Sequence, residues 1–258
     1  MKSCARDVSN WIKDYAEGCG INTLVVGVSG GIDSAVILYL CEMTGLKTIS
    51  VFMPLGPGEE CRLRQKIDDL MKQSTSEHRM VYIRDILLIY QESYVFPDNK
   101  KNLGRTELSQ GNLRARIRAN ILYDIAGTEN GLVVGTDNKD EEMLGYFTKG
   151  GDGLVDILPI VNFHKSEVYE LAEALNVPES IINAAPSANL WDGQTDEGEL
   201  GMTYAEIEVA IKVWEMSITM AEALKIIDSD RFHTVYSKVL NMINKTYHKR
   251  NLPPSYVR

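Results

Sequence analysis

The chain has 258 residues with 36 acidic and 27 basic side chains, a formal net charge of −9, which disfavours a nucleic-acid partner through long-range repulsion. It is 44% hydrophobic and 24% charged, a composition and length that suit one α/β domain, residues 1–258, with a sizeable core. Cys4, Cys19, Cys41 and Cys61 lack the spacing of a zinc or redox motif and read as reduced thiols of a cytoplasmic protein. No secretory signal is expected, and no apolar stretch approaches the roughly 20 residues that span a bilayer.

Short apolar runs alternate with amphipathic stretches. Val8, Trp11, Ile12, Tyr15 and Cys19 fall at helical spacing and open the chain with a helix. Residues 23–28 form a β-branched run that predicts a buried strand. A glycine turn leads into a helix over 35–43. Strands are predicted at 48–53, 80–83 and 132–135, and helices at 60–71 and 108–125. The last of these carries Arg114, Arg116 and Arg118. Beyond Pro159 the strand signal fades, and helices are expected at 165–175, 204–214 and 231–245. Residues 97–106 and 185–201 read as surface loops. Strands alternating with helices imply an α/β fold: a doubly wound parallel sheet flanked by helices, with helical C-terminal additions.

The strongest chemical signal is Ser29-Gly30-Gly31-Ile32-Asp33-Ser34, set between an apolar strand and a helix. Glycines let backbone approach an oxygen-rich ligand. The helix start then offers free N–H groups and a positive dipole end to phosphate. Ser29 and Ser34 add hydroxyls. Asp33 would repel a phosphate unless a cation such as Mg²⁺ lay between them. The loop lacks the Gly-Lys-Ser/Thr ending of a Walker motif.

This loop resembles the pyrophosphate-binding loop of the ATP pyrophosphatases (the PP-loop superfamily). That superfamily includes GMP, asparagine and argininosuccinate synthetases, tRNA thiolation enzymes and NAD synthetases. The rest of the chain narrows the resemblance. Gly135-Thr136-Asp137-Asn138, Glu141, Gly145-Tyr146-Phe147-Thr148-Lys149, Gly151-Asp152, Asp156, Pro159 and Lys165 are similar to the central motif of ammonia-dependent NAD synthetases. Pro186-Ser187-Ala188, Gly193-Gln194-Thr195-Asp196-Glu197, Tyr204 and His248-Lys249-Arg250 continue it in order.

The resemblance implies an adenine nucleotide alpha hydrolase-like fold and an assignment for each matching position. Asp33 and Glu141 would hold Mg²⁺ and, with Lys165, form the catalytic group. ATP, the co-substrate, would meet Ser29, Gly30, Gly31, Ile32, Asp33, Ser34, Met53, Arg116, Thr136, Lys165 and Ser187. Deamido-NAD would meet Tyr146, Lys149, Asp152, Asp156, His248 and Lys249. Ammonia would be the nitrogen donor, and a homodimer the working assembly. Glu141 alone could equally be a solvated acid beside Asp140 and Glu142, and the arginines an exposed basic face. Two positions depart from the family pattern: Gly150 replaces a usual aromatic, and Asn189 a usual aspartate. The competing readings are another ATP pyrophosphatase, such as a tRNA-modifying enzyme, and a non-catalytic nucleotide-binding module.

Overall fold

The computed structural model describes residues 1–93, 106–186 and 195–256. Helix α1 (Lys2–Gly18) packs its Ala5, Ile12 and Ala16 face inward. Strand β1 (Thr23–Val28) is buried almost throughout and runs into α2 (Ile32–Met43), whose apolar run Ala35–Cys41 is buried all round. Helix α2 therefore lies between the sheet and an outer layer rather than at the surface. Strand β2 (Lys47–Phe52), α3 (Pro57–Met71), β3 (Glu77–Met80) and α4 (Arg84–Glu92) follow. The long α5 (Glu107–Glu129) leads to β4 (Gly131–Val134) and the short α6 (Lys139–Leu144). The remaining elements are helical: α7 (Lys165–Ala174), α8 (Glu179–Ile182), α9 (Asp196–Leu200), α10 (Tyr204–Trp214), α11 (Met220–Ala223) and α12 (Ser229–Lys245), with a 3-10 turn over Tyr247–Lys249.

The sheet has the order β3-β2-β1-β4, and all its pairings are parallel. Val25 stands opposite Ile49 on one side and Val133 on the other. One face packs on α1, α2, α3, α7 and α8, with Leu24, Val26, Leu38, Leu70 and Leu171 in that core. The other face packs on α4 and α5 through Val25, Ile49, Val51, Leu87 and Ile117. Coverage of both faces is why the strands are continuous apolar runs. A separate core joins α6, α10 and α12 through Leu144, Ile207, Ile211, Val235 and Val239, and it anchors the C-terminal helices beside the sheet's carboxyl edge. Among the described residues, no helix is long and apolar enough to cross a membrane.

The expected doubly wound sheet is present, with differences at its margins. The third strand was expected at 80–83 and lies at Glu77–Met80. It is the edge strand, and its Glu77-His78-Arg79 segment faces largely outward, so no apolar pattern marks it. Helix α9 stands inside the stretch expected to be loop. The expected loop at 97–106 lies outside the described residues, except that Thr106 caps α5 by accepting the Ser109 N–H.

Candidate active site

Parallel sheets place ligands at the carboxyl ends of their strands, and the segments after β1 and β4 converge there. After β1, Gly30 has φ +77°, a left-handed conformation that glycine adopts without steric cost. Gly31 caps α2 in extended geometry. Within the turn, Ser34 Oγ donates to the Gly31 carbonyl at 2.9 Å, and the Ser29 N–H donates to Ser34 Oγ at 3.2 Å. These bonds hold the loop open around the helix start, with Asp33 in the first turn.

After β4 the chain passes through Gly135, where a Cβ would meet Leu158 Cδ2 at 2.6 Å and Val155 Cγ2 at 2.7 Å. Only glycine lets the two segments approach this closely. Asn138 then caps α6: its Oδ1 accepts the N–H groups of Asp140 and Glu141 at 3.0 and 3.1 Å. Its Nδ2 donates to Asp33 Oδ1 at 3.0 Å, so one residue both caps α6 and ties it to the phosphate loop.

Lys165 arrives from the first turn of α7. Its side chain is nearly fully buried, and its Nζ lies 2.5 Å from Asp33 Oδ2 and 3.6 Å from Glu141 Oε1. It also stands 4.9 Å above the Tyr204 ring. The Tyr204 hydroxyl is 3.0 Å from Asp196 Oδ2 and 3.2 Å from Glu141 Oε1. Burial and then the charge of Asp33 push the Glu141 carboxyl up to about 8, against the pull of Lys165. Burial favours loss of the Lys165 proton, but Asp33 and Glu141 together hold the amine above its ordinary range. Asp137 is raised by burial and by the nearby Asp152 and Glu141, and its Oδ2 has no hydrogen-bond partner among the described residues. Several acids thus crowd around one lysine, an arrangement that favours a further cation.

Asp33, Asp137, Glu141, Lys165 and Asp196 border a cleft of about 260 Å³ running from the glycine loop past Met53 to Tyr146. Of the positions expected to bind ATP, Ser29 through Ser34, Met53, Thr136 and Lys165 line it; Ser187 lies outside the described residues. Of those expected to bind deamido-NAD, Tyr146 and Asp152 line it. The rest gather beside it. Lys149 Nζ donates to the His248 carbonyl at 2.9 Å, and Arg116 Nε to the Lys149 carbonyl at 3.3 Å. Lys249 Nζ donates to the Gly145 carbonyl at 2.7 Å. Asp156 accepts the Val133 N–H at 2.7 Å and the Tyr123 hydroxyl at 3.1 Å, tying α5 and β4 together. Gly150 has φ +74° and open space at its Cβ position, a conformation that suits glycine better than the family's usual aromatic.

Sequence reasoning counted Arg118 with Arg116 in a helix segment that fits the family but gave it no role. It lines the cleft, donates from Nε to the Met53 carbonyl at 3.1 Å and lies 3.7 Å from Glu59. The signal for it was helical periodicity: Ala115, Arg118, Ala119 and Leu122 share one face and all border the cleft. Asp196 and Tyr204 were also unassigned, since they reach the site from elements distant in sequence.

The oxygen donors of Asp33 and Glu141 suit a hard divalent cation such as Mg²⁺. The raised Glu141 fits such a role, because a bound cation would relieve the repulsion between the two carboxyls.

A parallel sheet with a glycine loop at its carboxyl edge, facing a buried lysine and two carboxyls, defines a nucleotide-binding α/β protein of the PP-loop type. The NAD synthase family model matches residues 4–253, and the chain belongs to that family. It is 37% identical over 250 residues to an ammonia-dependent NAD synthetase of Archaeoglobus fulgidus, covering 96% of this chain and 93% of the relative. It also resembles the solved NMN synthetase of Francisella tularensis, with TM-score 0.79, 34% identity and coverage of 99% and 98% of the two chains. The ammonia-dependent NAD synthetase of Campylobacter jejuni matches with TM-score 0.76, 27% identity and coverage of 99% and 98%.

Proposed function

We propose that the chain is a ligase that amidates deamido-NAD to NAD, using ATP and ammonia and releasing AMP and pyrophosphate. The observation that carries this reading is Lys165, buried between Asp33 and Glu141 and facing the glycine loop.

A carboxylate resists amines because its leaving group would be oxide. In the proposed reaction the nicotinate carboxylate attacks the α-phosphorus of ATP, and pyrophosphate leaves. Ammonia then adds to the acyl-adenylate carbon, AMP departs with its electron pair, and the surplus proton passes to solvent. The N–H groups at the start of α2, with Ser29 and Ser34, cradle the departing pyrophosphate. Lys165 neutralises charge that grows on those oxygens, and its burial strengthens that effect. Thr136 and Arg118 hold the nucleotide, and Met53 borders the adenine. Tyr146 offers an aromatic face to the pyridine ring, and Asp152 contacts deamido-NAD. Lys149, Asp156, His248 and Lys249 belong to the deamido-NAD side of the site, with Arg116 on the ATP side. Mg²⁺, held by Asp33 and Glu141 when bound, supplies neutralisation of the triphosphate. A cytoplasmic homodimer near twice 28.9 kDa is part of the proposal, and sedimentation at micromolar concentration checks it: a monomer throughout would remove it.

The likeness to an NMN synthetase favours one alternative, the same chemistry on the mononucleotide. Purified protein with ATP, Mg²⁺ and ammonia should convert deamido-NAD to NAD with a higher kcat/KM than it converts nicotinate mononucleotide to its amide. The reverse order would make the mononucleotide the substrate.

A further inference from the structure

Asp140 is next to Glu141 on α6, but it does not border the cleft. It is fully buried, and both carboxyl oxygens are committed to the start of α7. Oδ1 is 2.7 Å from His164 Nδ1, with the ring N–H as donor, and Oδ2 accepts the Lys165 backbone N–H at 2.8 Å. His164, also buried, caps α7 and has its own N–H held by Glu167 at 2.8 Å. Just before it, the Phe163 carbonyl accepts the Lys139 N–H at 2.9 Å. The starts of α6 and α7 are therefore joined at successive residues. Beyond the imidazole stands Glu208 of α10, with a carboxyl oxygen within 4.8 Å of the ligand atoms of Asp140 and His164.

An Asp-His-Glu cluster could hold a metal, but unlike Asp33 and Glu141 none of its three residues borders the cleft. Both Asp140 oxygens have donors, and Glu208 accepts from Lys212 Nζ at 2.6 Å. A buried carboxyl is tolerated only when its partners are fixed, and the partners are fixed in return. Lysine carries its charge on a flexible four-carbon stem, so the position of its ammonium depends on where its backbone starts. Here the same carboxyl that fixes that backbone lies one residue from Glu141, the other wall of the site.

We propose that Asp140 and His164 are positioning residues that act through Lys165. They clamp α7 to α6 so that the Lys165 ammonium and the Glu141 carboxyl address the same phosphate group. This rests on the reading of Lys165 as a phosphate-binding residue, and it adds a device the reaction chemistry alone does not require.

A double-mutant cycle on the full chain tests it, read as calorimetric affinity for Mg·ATP. Binding is the readout because a Lys165→Ala enzyme too slow to assay still has the glycine-loop amides. Asp140→Asn could keep both contacts, its Oδ1 on the Lys165 N–H and its Nδ2 donating to Nδ1 of the other His164 tautomer, so the variant is Asp140→Ala, which leaves both donors without their acceptor. That variant should weaken ATP binding about tenfold, as loss of an orienting partner typically does. In a Lys165→Ala background the same change should cost less than about twofold. Equal losses in both backgrounds, or no loss in the first, would overturn the proposal. Unchanged affinity in Lys165→Ala alone would instead remove the phosphate role of Lys165, and this proposal with it. If Asp140→Ala does not fold, His164 gives the answer. His164→Asn keeps a donor near the Nδ1 position, whereas His164→Leu fills the volume without one. Asn should hold ATP affinity within about threefold and Leu lose about tenfold; Leu binding as well as Asn would mark a packing role and refute positioning.

Discussion

Asp33 accepts from Lys165 Nζ and from Asn138 Nδ2, so α2, α6 and α7 meet at one carboxyl. Glu141 completes the group from the first turn of α6. Without either acid, the Mg²⁺ that the two are proposed to hold would lose a ligand, and the phosphate charge would go uncompensated. Asp33→Ala and Glu141→Ala are each expected to cost several kcal/mol of transition-state stabilisation, about a thousandfold or more in kcat/KM, with added Mg²⁺ giving only partial recovery. Near-native turnover by either variant would remove that residue from the metal site. Arg116 and Arg118 give a sharper contrast. Arg118 borders the cleft while Arg116 reaches the Lys149 carbonyl, so Arg118→Ala should raise KM for ATP more than Arg116→Ala does. The opposite ranking would return the nucleotide contact to Arg116. The glycine loop was legible in the sequence because its chemistry is contiguous. Arg118 was not picked out among three alternating arginines, since facing is set by helix phase and by what packs opposite.

Helices α10 and α12 owe their alignment to a shared core and to one charged tie. Arg231 Nε and Nη2 donate to Glu206 Oε1 and Oε2 at 2.5 and 2.6 Å, and the Thr203 N–H donates to Oε2 at 2.8 Å. Arg231 first, and Thr203 with it, draw the Glu206 carboxyl from its ordinary 4.5 to about 2. A depressed folded-state value means stability present above pH 4.5 and lost as pH falls from 4.5 toward 2. Glu206→Gln should therefore lower stability at pH 7 by about 0.5–1 kcal/mol, in line with a partly exposed ion pair. The gap to the native protein should close as the medium approaches pH 2. Denaturant melts at several pH values measure this, and a gap that does not change with pH would show that packing, not charge, is responsible. At this scale, the elements that bury a continuous face were readable: β1, α2, α5 and α12. The edge strand β3 was expected three residues too late, and the short helices α6, α8, α9 and α11 were not read. Their boundaries come from caps and tertiary neighbours, as with the Asn138 and Thr219 capping boxes.

Across the whole molecule, the sheet sets the carboxyl edge and the helical C-terminal region closes it with Asp196 and Tyr204. The sequence conveyed this architecture through strand–helix alternation and through the order of motifs from Ser29 to Arg250. The resemblance grouped Asp33 and Glu141 with Lys165 but gave Asp196 and Tyr204 no role, because packing alone brings them to that group. The Archaeoglobus fulgidus relative is an ammonia-dependent enzyme, and the proposed function expects free ammonia as the nitrogen donor here. Ammonium has no lone pair, and turnover at fixed subsaturating total ammonium should rise with pH until another group interferes. The most direct measurement is release of pyrophosphate from ATP by the purified protein, followed with each reactant left out in turn. Sustained release should require deamido-NAD, Mg²⁺ and ammonia together, one pyrophosphate per NAD, with glutamine nearly inactive in place of ammonia. Pyrophosphate release indifferent to deamido-NAD, or sustained NAD formation with no ATP cleaved, would contradict the account.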